Sequence, residues 1–165
     1  MGERGTRVGA TIRKAGSDVA ARLALAERTC AARGTRLTAN RRDALALILA
    51  ADRPVTAYVL LDQLKPTHPR AVPATVYRAL DFLMEQGLVH KVERLNAYVG
   101  CVGGSSHVHD HPVQFLICRD CGGVTEVEDD EVAEALAHAA ERTGFTPAHA
   151  TVEVEGTCGD CAAHG

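Results

Sequence analysis

Apolar residues recur every three or four positions through the first half of the chain, and this period predicts four amphipathic helices. The predicted helices are residues 17–34, 38–52, 56–65 and 72–87. Ser17 or Asp18, Thr38 and Thr56 stand where a side-chain oxygen is expected to cap the first three helices. Pro73 falls in the first turn of the fourth, where its fixed backbone angle suits a helix start.

The fourth predicted helix has one apolar stripe and one polar face. At about 100° per residue, Val76, Leu80 and Leu83 fall on the stripe that would face a core. Arg78 points almost opposite to that stripe, and Tyr77 lies at the border between the two faces. We therefore expect the side chain of Arg78 to face solvent or a ligand.

The apolar period changes after the fourth helix. Residues 88–92 and 97–101 are two short strand-like runs, and helices followed by such a hairpin are typical of a winged helix-turn-helix. The remaining pattern predicts two strands, a helix at about 130–142 and a last strand, which indicates a second unit and an α+β fold class. The predicted segments are a disordered basic tail (1–16), a winged-helix domain (17–101) and a small α+β domain (102–165).

Basic residues are concentrated at the start of the chain. Residues 1–42 contain ten of the 18 Arg and Lys residues but only three of the 21 Asp and Glu residues, in a protein whose net charge is −3. A basic front and an acidic remainder indicate that one end contacts a polyanion. A solvated basic helix explains the same charge pattern, so charge alone leaves both interpretations open.

The 165 residues contain no apolar run long enough to cross a bilayer, and the N-terminus lacks the apolar stretch of a secretory signal. We therefore expect a cytoplasmic protein without membrane contact. Thiols stay reduced in the cytoplasm, so six cysteines favour metal ligation over disulfides.

Four of the six cysteines form two C-x-x-C pairs. Each pair supplies two thiolates from one tight turn, and zinc binds four thiolates tetrahedrally, so the pairs predict a structural zinc site. A redox role is the weaker alternative, because a redox motif is more often a single pair near a βαβ unit. The predicted zinc ligands are Cys118, Cys121, Cys158 and Cys161. Cys30 is expected to be a buried thiol, and composition alone makes Cys101 a small strand residue.

The segments "TVYRAL" (75–80) and "FLICRDCG" (115–122), taken with the paired cysteines, resemble the Fur family of metal-responsive repressors. The likeness is greatest to its zinc-sensing branch, the Zur proteins, and spans about residues 22–161. The resemblance implies a homodimer whose subunits each have a winged-helix DNA-binding domain and an α+β dimerisation domain. It also implies that zinc is the co-repressor for zinc-uptake genes.

The resemblance further implies a sensory zinc at the hinge between the domains. The matching residues are His90, Cys101, His111 and Glu126. Two histidines, a thiolate and a carboxylate suit zinc, and the thiolate disfavours an iron or manganese sensor. Together with the structural site, this predicts two zinc ions per subunit. His107 and His109 alternate with Val108, and they form either a further metal site or solvated loop residues.

The resemblance implies that the fourth helix is the recognition helix. Its Arg78 would then form hydrogen bonds with a guanine edge in the major groove. The alternative is that Arg78 forms a surface ion pair with Asp81 or Glu85. Tyr58 is a second candidate for base contact, and a half-buried core aromatic is its alternative. The remaining predicted DNA contacts are Thr75 and Tyr77 with phosphate or a thymine methyl, and Arg36, Arg41 and Arg42 with phosphates.

We therefore predict a zinc-dependent repressor that binds an inverted-repeat operator in double-stranded DNA. A Fur-family sensor of iron, manganese or nickel is the main alternative, because residues around the ligands also influence metal choice. A zinc storage or interaction protein is a second alternative. An enzyme is disfavoured, because four protein ligands leave no open metal position and no nucleophile is paired with a base.

Overall fold

The structure is a computed structural model that describes residues 18–101, 113–148 and 150–164. The chain divides into two compact units, and the described residues 18–101 and 113–164 belong to different ones. The predicted tail (1–16) lies outside the described residues, as do His107, His109 and His111. The predicted domain bounds fall partly in these segments and stay a prediction. Among the described helices, none has both the length and the apolar character needed to cross a membrane.

The N-terminal unit contains four helices and a small antiparallel sheet. Its elements are α1 (Val19–Ala32), α2 (Ala39–Ala50), β1 (Val55–Thr56), α3 (Ala57–Leu64), α4 (Pro73–Glu85), β2 (Val89–Val92) and β3 (Ala97–Gly100). The strand order is β1-β3-β2, and a short 3-10 helix (Glu93–Leu95) joins β2 to β3. All four predicted helices and the predicted hairpin are present, whereas the two-residue strand β1 was not predicted.

The predicted apolar stripe of α4 faces the core of this unit. Val76, Leu80 and Leu83 are all buried, together with residues from α1, α2, α3 and β2. Cys30 is buried in the same cluster, as predicted, so its thiol acts as a small core group. The core therefore holds α4 by one face and leaves its Arg78 face exposed.

The helix starts agree only in part with the capping predictions. The hydroxyl of Thr56 accepts a hydrogen bond from the backbone N–H of Val59, as expected of an N-cap. Asp18 and Thr38 occupy the N-cap positions of α1 and α2, but their side chains make no capping hydrogen bond. The predicted N-cap positions are therefore confirmed at Asp18 and Thr38, whereas the expected side-chain hydrogen bonds are not made.

The C-terminal unit is a three-stranded sheet with one crossover helix. Its elements are β4 (Val113–Cys118), β5 (Val124–Val127), α5 (Asp130–Glu141), β6 (Thr151–Gly156) and α6 (Gly159–Ala163). β4 is the central strand, antiparallel to β5 and parallel to β6, so the chain needs α5 to cross over between β5 and β6. Asp129 caps α5 by accepting hydrogen bonds from the N–H groups of Glu131 and Val132. The short helix α6 was not predicted.

Candidate metal centres and DNA-binding surface

The sheet of the C-terminal unit brings the two C-x-x-C pairs together. The parallel pairing of β4 with β6 places Cys118 opposite Gly156, so both strands end at the same edge. The turn after β4 carries Cys121, while Cys158 and Cys161 lie at the start of α6. The crossover topology therefore converts a separation of about forty residues into one local cluster.

The four sulfur atoms have the spacing of a tetrahedral zinc site. All four lie within 4.8 Å of one another, and the Sγ atoms of Cys121 and Cys158 are 3.9 Å apart. Thiolates bound to zinc at about 2.3 Å in a tetrahedron lie roughly 3.8 Å apart, so the cluster fits the ion. The four predicted structural ligands are thus brought together by the fold.

Backbone dipoles favour the thiolate form of Cys118. The N–H of Cys158 donates a hydrogen bond to Cys118 Sγ at 3.3 Å. This bond and a second from the backbone of Cys121 lower the pKa of Cys118 to about 6, because they stabilise negative charge on the sulfur. The pKa of Cys161 is raised to about 12, chiefly through its hydrogen bond with Cys158. A thiolate is the form that binds metal, so the lowered pKa of Cys118 fits its predicted role as a zinc ligand.

Two of the predicted sensory ligands lie on one face of the wing hairpin. His90 of β2 pairs with Val99 of β3, and Cys101 comes two residues after Val99 on the same face. Such diagonal neighbours are within reach of long side chains, and the ligand atoms of His90 and Cys101 lie within 4.8 Å of each other. The hairpin therefore forms half of the predicted ligand set.

The other half of the predicted sensory set belongs elsewhere in the chain. Glu126 lies in β5 of the C-terminal unit, where its side chain is only 3% exposed. A carboxylate oxygen is one of the ligand types that zinc accepts, so the residue type of Glu126 fits the predicted role. His111 lies outside the described residues.

The exposed face of α4 carries the residues predicted to contact bases. Arg78 is exposed, and among the described residues neither Asp81 nor Glu85 forms an ion pair with it. Tyr77 is 50% exposed, at the border of the helix as predicted, and Tyr58 at the start of α3 is 77% exposed. The alternative of a half-buried core role for Tyr58 is therefore wrong.

The other residues predicted to contact DNA differ in the contacts that their side chains already make within the protein. Thr75 Oγ1 accepts a hydrogen bond from the N–H of Val72 at 3.4 Å, so this hydroxyl also helps to start α4. Arg36 is exposed. The guanidinium of Arg41 lies 3.6 Å from the centroid of the Phe82 ring.

Arg42 also has a partner within the N-terminal unit. Its Nε donates to the Glu27 carboxylate at 2.8 Å, which joins α2 to α1. A residue already in an ion pair loses that pair when it turns to a phosphate. Of the three arginines predicted to contact phosphates, Arg36 is thus the one whose side chain forms neither an ion pair nor a ring contact with the described residues.

The profile of the Ferric uptake regulator family matches residues 32–155, which is more than half of the chain. The chain belongs to this family. Among relatives of this Fur-family protein, the zinc uptake regulation protein of Escherichia coli (strain K12) is 44% identical over 142 residues, covering 84% of this chain and 80% of that protein. The protein of the same name from Mycobacterium tuberculosis (strain H37Rv) is 35% identical over 133 residues, covering 79% of this chain and 97% of the relative.

Solved structures extend the likeness to three dimensions. A zinc uptake regulator complexed with zinc and DNA has a TM-score of 0.81 and 41% identity, covering 90% of this chain and 97% of that one. The crystal structure of holo XcZur has a TM-score of 0.77 and 46% identity, covering 86% and 96%. These comparisons confirm the predicted family resemblance and the predicted α+β fold class with a winged-helix domain.

Two contacts beside these sites were missed by sequence reasoning. Arg22 of α1 donates a hydrogen bond to the backbone carbonyl of Cys101, and His68 pairs with Asp43 in front of α4. Each pair joins residues far apart in the chain, and neither has a local motif. No pattern in a single sequence signals such a pair.

Proposed function

We propose that this protein is a zinc-dependent, DNA-binding transcriptional repressor of zinc-uptake genes that works in the cytoplasm. The observation that carries the proposal is the likeness to a zinc uptake regulator complexed with zinc and DNA, over 90% of this chain at 41% identity. Identity of this level over two domains goes beyond a shared fold, and the likeness to two zinc uptake regulation proteins supports the same function.

We assign a permanent role to the four-cysteine cluster. An all-thiolate site is closed and holds zinc without an open position, which suits retention rather than sensing. In the C-terminal unit it would connect the ends of β4 and β6 to α6, in a unit whose helices contain no buried residue. Bound zinc therefore supplies folding energy that the small core of this unit does not.

We assign the sensory role to His90, Cys101, His111 and Glu126, which makes two zinc ions per subunit. A site with two histidines, one thiolate and one carboxylate is neutral overall when zinc is bound, and its ligands come from separate segments, which suits reversible binding. The proposal is supported by the closeness of His90 and Cys101 and by the burial of Glu126. A further metal site at His107 and His109 stays a prediction.

We infer that the working form is a homodimer built on the C-terminal unit. None of the twelve residues of α5 is buried, although Leu136 and other apolar side chains lie on it. Leu116 and Val154 are neighbours in the β4–β6 register and are each about half exposed. An exposed apolar sheet face and an amphipathic helix of this kind are expected to be covered by a second subunit.

DNA recognition then follows from the exposed face of α4. Arg78 would donate two hydrogen bonds to a guanine edge, while Tyr58, Tyr77 and Thr75 would contact neighbouring bases or phosphates. In a dimer, two such helices read half-sites about one helical turn apart, which gives an inverted-repeat operator. A metal that binds the DNA-competent arrangement more tightly raises the affinity for DNA. By thermodynamic linkage, bound DNA raises the affinity for that metal by the same factor.

The test is DNA binding by the purified protein after a chelator removes the sensory metal, followed by titration with zinc, iron or manganese. The DNA is an inverted repeat from upstream of a zinc-import gene in the source genome. Restoration of tight binding by zinc alone supports the proposal. Restoration by iron or manganese instead would make the protein a sensor of another metal, and unchanged binding in all three titrations would overturn the regulatory role.

A further inference from the structure

The structure contains a long-range contact to one proposed sensory ligand. Nη2 of Arg22 donates a hydrogen bond to the backbone carbonyl oxygen of Cys101 at 2.7 Å, although the two residues are 79 positions apart. Arg22 lies in α1, and Cys101 directly follows β3. A short bond from a guanidinium is charge-assisted and geometrically directed, so it fixes the carbonyl more firmly than a neutral donor would.

Gly100 is what lets this contact form. A Cβ atom at position 100 would lie 2.5 Å from Cδ2 of Leu49 and 3.2 Å from Nη2 of Arg22. Leu49 is buried in the core of the unit, so it has little room to move. The bare backbone at Gly100 therefore admits both the Leu49 side chain and the Arg22 guanidinium beside the end of β3.

The other backbone group of Cys101 is held as well. Its N–H donates to the carbonyl of Leu88 at 3.1 Å, and the N–H of Leu88 donates to the carbonyl of Leu83 in α4 at 2.9 Å. The backbone of Cys101 is thus hydrogen-bonded to α1 through Arg22 and connected to the end of α4 through Leu88.

We propose that Arg22 is a positioning residue for the Cys101 thiolate at the sensory metal site. Cys101 lies beyond the last pair of the β2–β3 ladder, so the bond from Arg22 constrains its backbone where the ladder pairing has ended. The bond to the carbonyl fixes the backbone of Cys101 and keeps Sγ within 4.8 Å of the His90 ring nitrogen. Residues that orient a metal ligand typically change metal affinity about 10- to 100-fold when they are removed.

The proposal rests on the proposed function, because it assumes that His90 and Cys101 bind the sensory zinc. The experiment measures zinc affinity of the full-length protein by competition with a chromophoric chelator, with the structural zinc kept in place. Four variants are compared with the wild type. They are Arg22→Leu, Arg22→Lys, Arg28→Leu and Cys101→Ser.

Arg28→Leu is the matched control, because Arg28 is an exposed arginine on the same helix and its loss removes the same charge. Arg22→Leu is expected to weaken the sensory site about 10-fold, whereas Arg28→Leu leaves it unchanged. Arg22→Lys is expected to restore part of the affinity, because an ammonium can still donate one hydrogen bond. Cobalt(II) loaded into the sensory site gives a second readout, since the sulfur-to-cobalt absorption reports directly on Cys101.

The outcomes separate the two proposals. If Cys101→Ser still binds the second zinc ion as tightly as the wild type, the assignment of Cys101 to the sensory site is wrong. If Cys101→Ser loses that ion but Arg22→Leu behaves like Arg28→Leu, the sensory site stands and the positioning role of Arg22 is overturned. Far-UV circular dichroism of each variant shows whether the helix content of the protein is retained, and Arg22→Lys keeps the test valid if Arg22→Leu unfolds.

Discussion

Nε2 of His68 lies 2.8 Å from Oδ2 of Asp43, and this hydrogen bond joins α2 to the loop in front of α4. The backbone of His68 is held too, because its N–H donates to the carbonyl of Leu64 and its carbonyl accepts from the N–H of Ala71. The end of α3, the side of α2 and the approach to α4 therefore meet at one residue. His68 is thus placed to influence where α4 begins.

We expect His68→Ala and Asp43→Ala each to lower the free energy of unfolding by about 1 kcal/mol, because each removes the same partly buried hydrogen bond. The double variant should lose less than the sum of the two, with a coupling energy of roughly 0.5–1.5 kcal/mol. Urea unfolding is best followed by far-UV circular dichroism, since the chain contains no tryptophan. Strict additivity of the two losses would show that the pair contributes nothing to stability.

Removal of one cysteine from the C-terminal cluster should release its zinc. Cys158→Ser takes away one of the four proposed ligands, whereas the backbone N–H at position 158 can still donate to Cys118 Sγ. We expect the purified variant to contain one zinc ion fewer per chain and to be cleaved faster by protease between β5 and α6, because structural zinc supplies folding energy. Elemental analysis and limited proteolysis measure the two effects.

Cys30→Ala is the control for that experiment. Cys30 is only 1% exposed, but it lies in the core of the N-terminal unit and not in the four-cysteine cluster. The Cys30→Ala protein should therefore keep its full zinc content. Equal zinc content in Cys158→Ser and Cys30→Ala would contradict the structural site.

Much of this architecture could be predicted from the pattern of residues, for identifiable physical reasons. A 3.6-residue apolar period is local, so α4 and the exposure of its Arg78 followed directly from the positions of Val76, Leu80 and Leu83. The approach of the two C-x-x-C pairs was equally predictable, because each pair is a local motif of a kind that zinc sites combine in twos.

What escaped prediction depends on distant contacts. Neither Arg22 nor His68 differs in its local sequence from an ordinary surface residue, and their partners are identified only by the folded core. Asp18 and Thr38 stand at the predicted N-cap positions, but neither side chain makes the capping hydrogen bond that its residue type suggested.

Arg36 and Arg41 should respond differently to substitution, although both were predicted to contact phosphates. Arg41 lies against the face of Phe82, so Arg41→Ala should lower the free energy of unfolding by roughly 0.5–1 kcal/mol through loss of this cation–π contact. Arg36→Ala should leave stability unchanged and weaken operator and nonspecific DNA binding alike. The slope of log affinity against log salt should fall by about 1 in Arg36→Ala. A salt slope equal to that of the wild type would remove Arg36 from the DNA contacts.

Arg78→Ala should change sequence discrimination rather than general DNA affinity. Its guanidinium is exposed on α4 and is not in an ion pair with either nearby carboxylate of that helix, so it can face a base edge. Loss of a two-bond contact to guanine is expected to cost about 1–3 kcal/mol on the operator and little on a scrambled duplex. Fluorescence anisotropy on both duplexes at one salt concentration measures the difference, with Arg142→Ala in the C-terminal unit as the charge-matched control. Equal losses on the two duplexes would reassign Arg78 to a phosphate contact, because phosphates carry no sequence information.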